Sequence, residues 1–222
     1  MKILALDTAT ENCSAALLID GQAWHREIEA ERGHAELILT MIDELLRESG
    51  TKLPDLTAIA FGRGPGSFTG VRLAASVTQG LAFGAGVPVV PVSDLRAVAQ
   101  RVASQHVLVC NDARMQEVYW GCFERMPDGL MSPVTPERVS KPADVQLPEA
   151  WRGSGAGRGF AAYTMLQVRL ADQLTNIEPT LLPRAHEVAL LAIAEVHAGR
   201  MQPPETAVPT YIRNDVAKPK AP

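Results

Sequence analysis

Short apolar runs separated by Gly, Pro and Asp set the rhythm of this chain, and they predict strands first and helices after. Lys2 to Asp7 is apolar at consecutive positions, as a strand covered on both faces must be, and it ends in a carboxylate before a polar turn. Cys13 to Ile19 predicts a second strand, Asp20-Gly21 a two-residue hairpin, and Gln22 to Glu29 a third strand with Trp24, Arg26 and Ile28 on one side. Gly33 to Ser49 carries Leu37, Ile38, Met41 and Leu45 at helical spacing, and Leu39, Ile42 and Leu46 widen the apolar stripe beyond one face. Leu56 to Phe61 then reads as a strand, Gly62 to Gly70 as a glycine loop and Val71 to Phe83 as a helix. Val87 to Val92 predicts a further strand and Asp94 to Ala103 a short helix.

The theme then starts again. His106 to Asp112 is an apolar strand ending in Asp, and Glu117 to Glu124 follows a tight polar turn. Met131 to Leu147 is Pro-rich and weakly patterned, with a third strand expected near Val134 to Val139. Arg184 to Ala198 is an amphipathic helix with Val188, Leu191, Ile193 and Val196 among its apolar positions. Two meanders, each followed by helices and strands, predict an α/β fold of two ribonuclease H-like lobes, the architecture of actin and the sugar kinases, the ASKHA superfamily. The lobes are expected at residues 1–104 and 105–217, with a frayed, disordered tail at 218–222.

Composition narrows the function more than the fold. The net charge is -4 and the cations are mostly Arg, without a basic stripe able to neutralise a run of phosphates, so direct nucleic-acid binding is not expected. Cys13, Cys110 and Cys122 lack CxxC spacing and sit in apolar strand-like runs, where buried inert thiols are the rule and a reducing cytoplasm fits. No leader and no apolar run of membrane-spanning length stands out, which predicts a cytoplasmic protein without a membrane association.

The loops that could carry chemistry are incomplete. An actin-like lobe offers phosphate a loop of the form Asp-x-Gly-Thr, with the Asp organising a metal and the Gly allowing close approach. Here it reads Asp7-Thr8-Ala9-Thr10, with a methyl group where approach is closest. The partner loop, expected as Asp-x-Gly, reads Asp112-Ala113-Arg114. Asp7, Thr10, Asp112 and Arg114 are therefore residual phosphate-loop candidates, Arg114 as a direct anion contact, and nucleotide affinity is expected to be weak. Gly62 to Gly70 is not a P-loop, since no Lys lies between Lys52 and Lys141; it reads as a tight turn with Ser67 or Thr69 capping the next helix. Gly153 to Gly159 misses GxGxxG and reads as a flexible turn, with a nucleotide-edge contact as the second reading. His34 and His186 each lack a second ligand at i+4, so no metal site is expected, and Ser67 lacks the Gly of a nucleophile elbow.

Four stretches resemble the TsaB, or YeaZ-type, family: Ile3 to Leu18, Gly62 to Phe83 (GRGPGSFTGVRLAASVTQGLAF), Asp112 to Trp120 and Pro209 to Ala217. The resemblance implies a scaffold subunit for threonylcarbamoyl transfer to the adenosine beside the tRNA anticodon, with no catalysis or cofactor of its own. It implies TsaD as heterodimer partner, the ATPase TsaE in a ternary complex, and tRNA and a weak nucleotide contact only within the complex. The related TsaD carries a His-x-x-x-His metal pair, and Asp94 and Val98 stand in those places here. A partner interface is expected on the first two long helices, through Leu37, Met41 and Leu45 on one and Val71, Ala74, Ala75, Thr78 and Ala82 on the other, where small residues such as Gly80 admit another helix. The same surface would serve a homodimer. The plainer reading is that both helices pack on their own sheet. Competing functions are an independent actin-like ATPase, motivated by Asp7, Thr10 and Asp112, and a peptidase-like hydrolase, for which no base and nucleophile pair up.

Overall fold

The end of β1 (Lys2–Asp7) is buried at every residue from Ile3 onward because helices cover both faces of the sheet it centres. Side chains alternate across a strand, so Leu4 and Leu6 enter one apolar cluster while Ile3 and Ala5 enter another on the opposite face. This arrangement is seen in a computed structural model that describes residues 1–213; the predicted tail at 218–222 and the end of the second predicted lobe lie outside the described residues. The chain continues through β2 (Asn12–Ile19), β3 (Gln22–Glu29), α1 (His34–Ser49), β4 (Ala58–Gly62), α2 (Phe68–Ala85), β5 (Val89–Val92) and α3 (Asp94–Gln100). A second set follows: β6 (His106–Asp112), β7 (Val118–Arg125), β8 (Met131–Pro133), β9 (Arg138–Ser140), β10 (Gly153–Ala156), α4 (Gly159–Ala162), α5 (Met165–Arg169), β11 (Leu174–Glu178) and α6 (Ala185–His197).

The two sheets share one plan. In the first, the order is β3-β2-β1-β4-β5, antiparallel among β1, β2 and β3 and parallel from β1 through β4 to β5. In the second, β11-β10-β6-β7-β8 runs parallel from β11 to β6 and antiparallel from β6 to β8, with β9 also on β7. This repeated order is that of the ribonuclease H-like lobes of the actin-like superfamily. The β2-β3 hairpin turns on Asp20 and Gly21, both at positive φ, as a primed two-residue turn requires.

Three features depart from the sequence reading. The third strand expected near Val134 to Val139 is two short strands, β8 just before that stretch and β9 overlapping its end; Pro133 and Pro136 interrupt a continuous ladder. Gly153 to Ala156 is no flexible turn but a buried strand, where a side chain on Gly153 would strike the backbone of His106 and one on Gly155 the ring of Phe160. Finally, a boundary at Ser104 separates the sheets but not the lobes. Helix α6 packs on β1, β2, β4 and β5, with Val188, Ala189, Leu191 and Ala192 closing the second face of the first sheet. The chain thus returns to its first lobe, and Gln202 bridges to Val89 at its edge.

Candidate functional site

The loops singled out in the sequence do meet. The turn after β1, the turn after β6, the first turn of α2 and Tyr211 line a cleft of about 1010 Å³ between the lobes. Its sides are tied by Arg158, which pairs with Glu29 and reaches Glu11 at 3.6 Å, and by Asn12 Nδ2, which donates to the carbonyl of Pro183 at 3.0 Å.

Of the residual phosphate residues, Thr10, Asp112 and Arg114 line that cleft and are hydrogen-bonded or paired within the protein. Asp7 is fully buried and does not reach the cleft; its Oδ1 accepts from the N–H of Ala9 at 3.0 Å and its other oxygen faces Asp94. The expectation that Asp7 is available to a phosphate or metal is therefore corrected: the strand end turns its carboxylate inward. Burial raises Asp7 above the ordinary carboxylate range, and burial together with the Asp7 charge raises Asp94 well above it. Thr10 uses its hydroxyl to accept from the N–H of Asn12 at 3.3 Å, and its carbonyl sits 3.0 Å from Nε2 of His34. Asp112 accepts from the N–H of Arg114 at 2.9 Å and from the hydroxyl of Tyr163 at 3.1 Å. Arg114 projects into solvent yet lies 3.3 Å from Asp112 and 3.4 Å from Glu11. It stands where glycine was expected, and it does so at φ 60, followed by Met115 and Gln116 also at positive φ. The left-handed turn that the fold demands is kept without glycine, at a cost of about 1 kcal/mol per residue.

Six of the eight predicted partner residues are covered by the protein itself. Leu45, Val71, Ala74, Ala75, Thr78 and Ala82 are all buried, and most of them enter the cluster that packs α1 and α2 on their own sheet. Leu37 and Met41 are half-buried at the edge of that cluster. The small residues of α2 serve close approach to β1 and β4. The outward face is a different set. Leu39 on α1 and Phe83 on α2 are 51% and 76% exposed, and Gly80 and Gly84 have open space beside them. At the start of α2 the guanidinium of Arg72 lies 3.2 Å from the centre of the exposed Phe68 ring and 5.3 Å from that of Tyr211. The signal for this face lay in large apolar residues out of phase with the buried stripe.

Ser67 caps α2, its hydroxyl accepting from the N–H of Gly70 at 3.1 Å, which is the capping role expected for the glycine loop. The three cysteines are buried thiols; burial pushes Cys13 up to about 12 and Cys122 up to about 11. Among the described residues no group of three His, Cys, Asp or Glu side chains is gathered to hold a metal, and no helix is long and apolar enough to cross a membrane.

Comparison with known proteins follows these features along almost the whole chain. A family model described as TsaD, tRNA N6-adenosine threonylcarbamoyltransferase, matches residues 27–220. The Escherichia coli protein named tRNA threonylcarbamoyladenosine biosynthesis protein TsaB is 41% identical over 232 residues, covering 100% of this chain and 99% of its own. Its Haemophilus influenzae counterpart of the same name is 39% identical over 239 residues, covering 100% and 98%. The solved structure of YeaZ from Pseudomonas aeruginosa superposes with a TM-score of 0.85 at 40% identity, covering 95% of this chain and 99% of that one.

Proposed function

The chain belongs to the TsaB family of tRNA threonylcarbamoyladenosine biosynthesis proteins, and we propose that in this role it is a non-catalytic scaffold subunit that pairs with TsaD. One observation carries the reading: Asp7, the residue an actin-like enzyme would turn toward phosphate and metal, is buried against Asp94. Ala9 and Arg114 in the two glycine places support it. Phosphate held against these loops would meet a methyl group on one side and an already paired guanidinium on the other, so any nucleotide contact is weak and belongs to the assembled complex.

The pairing surface is the outward face of α1 and α2. Exposed Leu39 and Phe83, with the open shoulders of Gly80 and Gly84, offer an apolar face that another pair of helices can cover closely. In isolation the same face makes a homodimer, since a related partner and a second copy present similar helices. TsaE joins as the ATPase, tRNA is reached only through the complex, and the cytoplasm is the site of action.

Two measurements test this. Deleting the gene should abolish threonylcarbamoyladenosine in bulk tRNA, and unchanged modification would overturn the role. The purified chain should retain TsaD in a pull-down; failure to do so, with modification still dependent on the gene, would overturn the scaffold mechanism alone.

A further inference from the structure

Asp7 closes β1 and Asp94 opens α3, and their carboxyls meet over Gly62 at the end of β4. A methyl group on Gly62 would collide with an oxygen of each, so the glycine is what lets them come together. Each carboxyl gives one oxygen to the backbone: Asp7 Oδ1 accepts from Ala9, and Asp94 Oδ2 accepts from the N–H of Gly64. The remaining oxygens, Asp7 Oδ2 and Asp94 Oδ1, are fully buried and, among the described residues, find no donor outside the pair.

Among the described residues no cation is bonded to this pair. Arg63, on the glycine loop, is turned to Glu137 at 3.2 Å; His34, at the start of α1, is engaged with the carbonyl of Thr10; Cys13, on β2, is a buried thiol. Two ionised carboxylates here would place like charges in contact and leave two buried oxygens unsatisfied. A single proton between them removes one charge and provides the missing donor.

We propose that Asp7 and Asp94 share one proton and that the pair is a pH-sensitive latch holding the glycine loop to the end of β1. Asp94 grips the loop twice, since its own N–H also donates to the carbonyl of Gly64 at 3.1 Å. When the shared proton is lost, one carboxylate must seek water, the N–H of Gly64 loses its acceptor, and the loop leading into α2 is released. The sign follows from the raised pKa of both groups, caused first by burial. The folded chain keeps a proton that the unfolded chain gives up near the ordinary carboxylate range. The latch therefore contributes fully at acidic pH, and its share of the folding equilibrium falls up to tenfold per pH unit as pH rises toward the pair's own pKa. The latch does not depend on the scaffold reading.

The test uses the full chain. Carbon-13 NMR of the aspartate carboxyls should show one proton of the Asp7–Asp94 pair persisting well above the ordinary carboxylate range; titration of both within that range would overturn the proposal. Asp94→Asn and Asp7→Asn each replace the shared proton by an amide N–H that does not titrate near neutrality. Hydrogen exchange at the Gly64 amide should match wild type near about pH 5 and be at least tenfold slower in the folded variants than in wild type once the pair has titrated. An exchange ratio constant across that range would overturn the latch, and should neither variant fold, the carboxyl titration of wild type decides alone.

Discussion

The hydroxyl of Thr8 donates to the carbonyl of Gly70 at 2.7 Å, joining the turn after β1 to the first turn of α2 across sixty-two positions of sequence. This contact explains why the first turn of α2, Phe68–Ala85, holds a glycine, a poor helix former, at position 70. A Cβ on Gly70 would run into the backbone oxygen of Thr8, while one on Gly80, in the same helix, would meet open space. Gly→Ala should therefore have opposite signs at the two sites. Gly70→Ala is expected to cost about 2 kcal/mol, lowering Tm by roughly 5 °C, and Gly80→Ala to gain up to about 1 kcal/mol. Thermal unfolding of the two variants of the isolated chain checks this, and equal effects would refute the close approach.

The partner face predicts a second contrast. Leu45→Glu and Ala75→Arg place an unpaired charge in the core beneath α1 and α2, and each should cost several kcal/mol and unfold the first lobe. Phe83→Glu and Leu39→Glu lie outside that core and should leave thermal stability within about 1 kcal/mol of wild type. In a pull-down with TsaD they are expected to lose most of the binding. Normal retention by both would move the interface elsewhere on the surface.

Glu187 on α6 gives a prediction in acid. Burial pushes its carboxyl up, but hydrogen bonds from His186 and Arg184 more than offset that and hold it down to about 2. A carboxylate depressed in the folded state stabilises above its unfolded pKa, and the contribution is lost as pH falls from about 4.5 toward about 2. The ionised Glu187, held by His186 and Arg184 together, should thus add about 3 kcal/mol at neutral pH, where Glu187→Gln will be destabilised by a similar amount. Urea unfolding at pH 7 and near pH 2.5 measures it: the two proteins should converge in acid.

The cleft predicts a negative result with a sharp alternative. With Asp7 buried, Ala9 in the first loop and Arg114 already between Asp112 and Glu11, the isolated chain should show no heat of binding with Mg²⁺ and ATP at millimolar concentration. Saturable binding by calorimetry would favour the independent nucleotide-dependent reading.

Much of the fold was legible because local signals agreed with the tertiary arrangement. Asp20-Gly21 marked a hairpin that the structure builds at positive φ, and the apolar run from Ile3 to Leu6 marked a strand covered on both faces. Gly153 to Gly159 was not legible. Glycine reads the same whether the chain needs freedom or needs room, and here His106, Cys110 and Phe160 press against those positions. The helices showed a similar limit. Ala74, Ala75 and Ala82 fit a close helix-to-helix contact and a close helix-to-sheet contact equally well, and packing on β1 and β4 is the outcome.

By itself, then, the sequence determined the order of strands and helices through β7, the duplicated start of the plan and the loss of glycine from both phosphate loops, because each is written in residues adjacent along the chain. Only the tertiary structure decided that α6 returns to the first sheet, that Leu39 and Phe83 rather than Leu45 and Ala75 face outward, and that Asp7 closes on Asp94. Those outcomes turn on which surfaces are covered by segments distant in sequence, and burial is a property of the packed chain rather than of any stretch within it.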